Sequence, residues 1–247
     1  MANLVQLKML EDLNAFLCVD KPAGLAFSSI VKAVKRKFNL VKVGHGGSLD
    51  AMASGLVVVL VNDANKFTGE VMGADRAWEG TLRLGLKTDT GDLRGRTTER
   101  AGFAMAADAF AAALERVKPE FKGDIFQTEP RYAAIRREGS GEYEIADTGD
   151  HSPSLVHVYR LDFGELVPRE DGTAEIGFTA TGTKGFLPRV FADDFGAALG
   201  CGAALSSLRR TRVGKFGLDR AVRFDDLLGL EMKDFASCTI PLGEALR

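Results

Sequence analysis

The stretch Gly44–Val61, "GHGGSLDAMASGLVVVLV", sets one carboxylate, Asp50, among glycines and very small side chains and follows it at once with an unbroken apolar run. Glycine lets the backbone take positive φ and lets another group come close, at a cost of about 0.5–1 kcal/mol when it merely sits inside regular structure. The composition therefore predicts that something fits beside Asp50. Taken bare, Asp50 is also a good N-cap for a helix starting Ala51-Met52-Ala53. The run that follows is short and β-branched, and its pattern suits either a buried strand or the core-facing end of a helix.

Upstream, "NAFLCVDKPAG" reads as a short buried strand stopped by Pro22 and Gly24. Ser28 or Ser29 can then cap a basic helix near Ile30–Phe38. Downstream, "AWEGTLRLGLKT" alternates like a strand and runs into the turn-rich "DTGDLRG", while "MAADAFAAALERV" is helical. Asp89 and Asp92 in that turn lack the alternating oxygen ligands of a calcium loop, so Asx-type turn bonds are expected. "SLVHVYRLDFGEL" and "AEIGFTATG" are strands, "VFADDFGAALG" is a helix ending at Gly200, and "ALSSLRRTRVGKF" leads into a last strand. Strands and helices mix without strict alternation, which favours α+β over a doubly wound parallel sheet.

At 247 residues, 45% hydrophobic and 27% charged, the chain has the composition of an ordinary globular protein. No apolar run approaches the roughly 18–20 residues that span a bilayer, and the acids near the start do not suit a signal peptide. A cytoplasmic protein is the expectation. Cys18, Cys201 and Cys238 show no C-x-x-C pairing, which predicts reduced, buried thiols, and the three histidines do not suggest a metal centre.

The net charge of −2 hides local clusters. Lys32, Lys35, Arg36, Lys37 and Lys42 occur between Ile30 and Gly44 with no acid among them, and Arg209, Arg210, Arg212 and Lys215 form a second cluster. Either is a solvated face or a phosphate-binding patch. No repeat or linker marks a domain boundary, and residues 120–153 read as a partly ordered surface excursion.

In order, "DKPAG", "VKAVKRKF", "GHGGSLDAMASG", "NKF", "RLGLKTDTGDLRG", "KGFLPRVFADDFGAALGCGA" and "LRRTRVGKF" resemble the TruB family of tRNA pseudouridine synthases, over residues 16 to 224. The resemblance implies a single catalytic domain over residues 1–247. Its fold is that of the pseudouridine synthases, a central mixed, largely antiparallel sheet flanked by helices. It implies isomerisation of the T-loop uridine conventionally numbered 55, by base flipping, with no cofactor and no metal. Asp50 takes the place of the family's nucleophile, and a carboxylate is an accepted covalent catalyst. Arg189 maps onto the arginine that pairs with that aspartate, and His45 onto the histidine that contacts the everted region.

Trp78 stands where the family has a tyrosine against the base, Leu187 where a substrate-contacting tyrosine is expected, and Leu208 matches the leucine lining the uracil pocket. The stretch after Phe224 reads as a short C-terminal tail, too short for the RNA-binding PUA module of many members. RNA grip is then expected from the two basic clusters and from Arg131, Tyr132, Arg136 and Arg137 in the excursion. A monomer that binds the tRNA T-stem loop and no membrane is expected. The Trp78 and Leu187 departures keep open an RNA-binding or tRNA-folding factor with weakened catalysis, and a synthase acting on another RNA is a further alternative.

Overall fold

The computed structural model describes residues 12–128, 132–136, 143–147 and 152–245. Its main elements are β1 (Ala15–Lys21), α1 (Phe27–Lys37), β2 (Val43–His45), β3 (Ser54–Val61), β4 (Arg76–Leu84), α2 (Ala107–Val117), β5 (Gly123–Gln127), β6 (Tyr132–Arg136), β7 (Tyr143–Asp147), β8 (Ser154–Pro168), β9 (Ala174–Gly182), α3 (Pro188–Leu199) and β10 (Ala203–Val213). The chain forms two compact units, one from residues up to Asp75 together with Arg209 onward, the other from Arg76 to Leu208. The second division falls inside β10.

In the first unit β3 is central. Leu56 to Val61 are 0–1% exposed, so the apolar run is a strand covered on both faces. This resolves the helix-or-strand ambiguity, because a strand buried on both sides needs no polar alternation. Antiparallel β1 lies along one edge of β3, from Ala15↔Val61 to Lys21↔Gly55. The other edge takes antiparallel β2 at Val59–Val61 and parallel β10 at Ser54 and Gly55.

Helix α1 buries Ile30 and Val34 and turns its basic residues outward. Its N-cap is Ala26, without a side-chain bond, so Ser28 and Ser29 lie in the first turn and cap nothing. The reason is the preceding turn, where the Lys21 ammonium holds the Leu25 carbonyl and the helix starts earlier than the hydroxyls suggest. The segment after Phe224, expected as a tail, returns to this core. Phe235 stacks on Phe38 at 3.9 Å between ring centroids, and Ile240–Pro241 pairs with β1.

The second unit is a sheet in the order β10-β4-β9-β8-β5. The pairings β4–β9, β9–β8 and β8–β5 are antiparallel. Helix α3 packs a phenylalanine cluster onto it, with Phe191 5.2 Å from Phe178 and Phe195 4.8 Å from Phe163. Strands β6 and β7 form an antiparallel hairpin. The pairing is mainly antiparallel, with parallel strand pairs in the first unit, in keeping with the α+β reading. Arg131, Arg137 and His151 lie outside the described residues.

Candidate active site

The loop from Gly46 to Ala53 leaves β2 at His45 and enters β3 at Ser54. No helix follows Asp50. The Ala53 N–H donates to the Asp50 carbonyl at 3.1 Å, closing a turn before the strand, and this removes the helix-cap reading. Asp50 is exposed, whereas Gly46, Gly47, Leu49, Met52 and Ala53 around it are buried.

At Gly46 and Gly55 the space beside the backbone is taken up inside the fold. A Cβ on Gly46 would stand 2.2 Å from Val71 Cγ1, and one on Gly55, whose φ is +102°, 2.2 Å from the Arg210 carbonyl oxygen. Val71 and the backbone of β10 occupy the space that the composition left open.

Two buried cations hold the loop from below. Arg210 is 1% exposed, and its guanidinium donates to the carbonyls of Leu56 at 2.9 Å, Ser48 at 2.7 Å and Gly47 at 3.3 Å. Lys21 is 0% exposed, and its ammonium donates to the carbonyls of Pro22 at 3.0 Å, Leu25 at 2.8 Å and Ala51 at 3.3 Å. The Gly24 N–H reaches the same Ala51 oxygen at 2.6 Å. Burial pushes the Lys21 ammonium down to about 8, against the upward pull of the Asp50 carboxylate and with a further downward push from Arg210.

The expected phosphate-binding role of Arg210 is therefore wrong, because its charge is spent on carbonyls inside the fold. Arg209, next along β10, is half-exposed and pairs with Asp20 at 2.7 Å. Lys32, Lys35 and Arg36 of α1 and Lys42 beyond it are exposed.

His45 packs edge-on against Phe27 at 4.8 Å. Its Nδ1 accepts the Gly47 N–H at 3.2 Å, so the ring proton sits on Nε2. Burial and the nearby Arg210 cation hold it below the ordinary histidine range. A neutral imidazole with an Nε2–H donor results.

The other candidates lie in the second unit. Arg189 is half-buried one residue into α3, and its Nη1 donates to the Thr90 carbonyl at 3.2 Å. Thr90 belongs to the Asp89–Asp92 turn, where Asp92 Oδ1 accepts the Arg94 N–H at 2.7 Å in the expected Asx turn. Leu187 is the half-buried N-cap residue of α3. Trp78, 7% exposed, faces Ala180 across the β4–β9 pairing, and Leu208, 5% exposed, is on the neighbouring strand β10.

Sequence reasoning passed over Gln127. Only 2% exposed, its amide accepts from the Leu187 N–H at 2.8 Å and donates to the Leu187 carbonyl at 3.2 Å. The thiols split, with Cys18 buried and its pKa pushed up to about 12 by burial, and Cys201 and Cys238 only partly covered. Among the described residues no three His, Cys, Asp or Glu side chains are grouped to hold a metal ion, and no helix is long and apolar enough to cross a membrane.

Comparison with known proteins adds to this geometry. Residues 35–186 match the family model described as TruB family pseudouridylate synthase (N terminal domain), and residues 189–246 match the tRNA pseudouridylate synthase B C-terminal domain. The chain is 39% identical to the tRNA pseudouridine synthase B of Bordetella avium, over 88% of each chain. It is 40% identical to that of Bordetella pertussis, over 87% of each. Against that of Burkholderia pseudomallei it is 37% identical, over 87% of this chain and 69% of the other. A crystal structure of a Cbf5-Nop10-Gar1 complex shares the fold with a TM-score of 0.71 at 23% identity, covering 97% of this chain and 63% of that one.

Proposed function

The chain belongs to the TruB family of pseudouridylate synthases and isomerises uridine to pseudouridine in tRNA, and from this premise we propose that its target is the T-loop uridine 55 and that Asp50 is the carboxylate that attacks. The observation that carries this reading is the contrast at the loop: an exposed carboxylate flanked by buried Gly47, Leu49 and Met52, on a backbone tied at Gly47, Ser48 and Ala51 to two interior cations. A group that must meet a reacting carbon in one geometry gains from such a rigid mount.

The reaction breaks the bond between N1 and the ribose C1′, forms one from C5 to C1′, releases the C5 proton and leaves a proton on N1. No electrons are gained or lost, so the reading needs no redox cofactor. The uridine has to leave the base stack before any group can reach it. Asp50 adds covalently during the exchange and departs after it, and Arg189 is the second catalytic residue. His45, whose Nδ1 is occupied by the Gly47 N–H and whose proton is on Nε2, donates to the region vacated by the base. Trp78, Leu187 and Leu208 line the uracil, with Trp78 supplying an aromatic face worth about 1–3 kcal/mol in stacking. The exposed basic face of α1 takes tRNA phosphates, which supply most of the affinity. The protein acts as a monomer in the cytoplasm.

The test uses the purified protein on a full tRNA transcript and on an isolated T-stem loop, with pseudouridine mapped by mass spectrometry. A single product at uridine 55 in both substrates supports the reading. Product at another tRNA position, or none on the stem loop, rejects the T-loop assignment.

A further inference from the structure

We propose that Gln127 is a positioning residue for Arg189, a proposal that rests on the reading of Arg189 as catalytic. Gln127 ends β5, opposite Ser154 of β8. Its side chain crosses to Leu187 and bonds that residue's backbone twice, taking the N–H and giving to the carbonyl. The same carbonyl accepts the first helical bond of α3, from the Phe191 N–H at 3.0 Å.

Leu187 has an extended backbone with φ −106° and ψ 98°, and no side chain caps the helix. Pro188 follows and has no N–H to give. The two peptides flanking Leu187 are thus both held by one buried amide, the Phe186–Leu187 peptide through its N–H and the Leu187–Pro188 peptide through its carbonyl, which Phe191 shares. Arg189 is two residues further on, and its guanidinium is held at the far end by Thr90. The Gln127 anchor acts on the backbone from which the arginine starts, and Thr90 is one of the groups its guanidinium meets. An apolar side chain at 127 leaves the Leu187 N–H without this acceptor, a cost that rotating the Phe186–Leu187 peptide relieves, and that rotation is carried through Leu187 and Pro188 to Arg189.

The experiment measures single-turnover rates on tRNA, with RNA affinity and melting temperature, for Gln127→Met, Arg189→Ala and the double variant. Methionine keeps the volume of glutamine and removes both bonds. Gln127→Met is expected to slow turnover about tenfold to a hundredfold, with affinity within about threefold. In the Arg189→Ala background the same change is expected to slow turnover by no more than about twofold, because a residue that acts through another adds nothing once that other is gone. An equal loss in both backgrounds, or no loss in the parent chain, overturns the proposal while leaving Arg189 in place. An Arg189→Ala variant that keeps its rate removes Arg189 from the mechanism and the proposal with it. If the methionine variant does not fold, Gln127→Glu substitutes for it. It keeps the acceptor for the Leu187 N–H, sets an oxygen against the Leu187 carbonyl, and is expected to slow turnover with the same dependence on Arg189.

Discussion

The loop that carries Asp50 and the helix start that carries Arg189 are each fixed through their backbones, but by different chemistry. Around Asp50 the fixing groups are cations, Arg210 on Gly47 and Ser48 and Lys21 on Ala51. At the start of Arg189's helix the fixing group is neutral, the Gln127 amide on the Leu187 backbone. A buried cation stabilises a carbonyl-lined loop strongly and adds positive potential next to an anion, yet it carries a desolvation cost and a titration. A buried amide does neither. The Asp50 loop should therefore respond to charge and pH, and the Arg189 mount to shape and hydrogen bonding.

The largest effect is expected at Arg210. Arg210→Met leaves three interior carbonyls without their donor, and chemical denaturation should show a loss of about 3 kcal/mol or more. A loss below about 1 kcal/mol would mean that the cation is not what holds the loop. Gly46→Ala comes next, at about 1–3 kcal/mol, because its Cβ overlaps Val71. Adding Val71→Ala should recover part of that loss, and no recovery would show that the overlap lies elsewhere.

The pH response of Lys21 is smaller and has a definite sign. Its folded value of about 8 lies below the ordinary 10.5, so between those values the unfolded chain binds the extra proton and stability rises with pH. Urea unfolding should show a Lys21 contribution that grows by at least about 1 kcal/mol across that window and is absent in Lys21→Met. A variant with the same pH slope as the parent would place the titration on another group. Neutralising Lys35, Arg36 and Lys37 of α1 touches neither mount. It should weaken tRNA binding about tenfold and flatten its salt dependence without changing the bound-state rate, and an unchanged salt slope would take this face off the RNA path.

Much of the fold was legible in the residues. The alternation of β4 and the helix closing at Gly200 follow from local pattern, whereas the apolar run 56–61 reads equally as strand or helix until its two covered faces are seen. The glycine loop was legible as a place of close approach, yet the sequence cannot say what approaches, and the occupants are Val71 and β10, which come from distant parts of the chain. Arg209, Arg210 and Arg212 look alike in the linear sequence. Alternation along the strand does not separate them either, since Arg212 has the same parity as buried Arg210 and Leu208 and is exposed. Gln127 gave no signal, because it ends a stretch of weak pattern and its partner is sixty residues away. Asp50 and Arg189 enter as candidates through the family resemblance, not through composition or spacing.

The claim that Asp50 carries the chemistry is tested most directly by single-turnover conversion of tRNA with enzyme in excess, comparing the parent chain with Asp50→Asn. The account predicts tRNA affinity within a few-fold of the parent and a rate of pseudouridine formation below about a hundredth of it, since the substitution keeps the shape of the side chain and removes the nucleophile. A variant that binds tRNA and still forms pseudouridine above that level would contradict it.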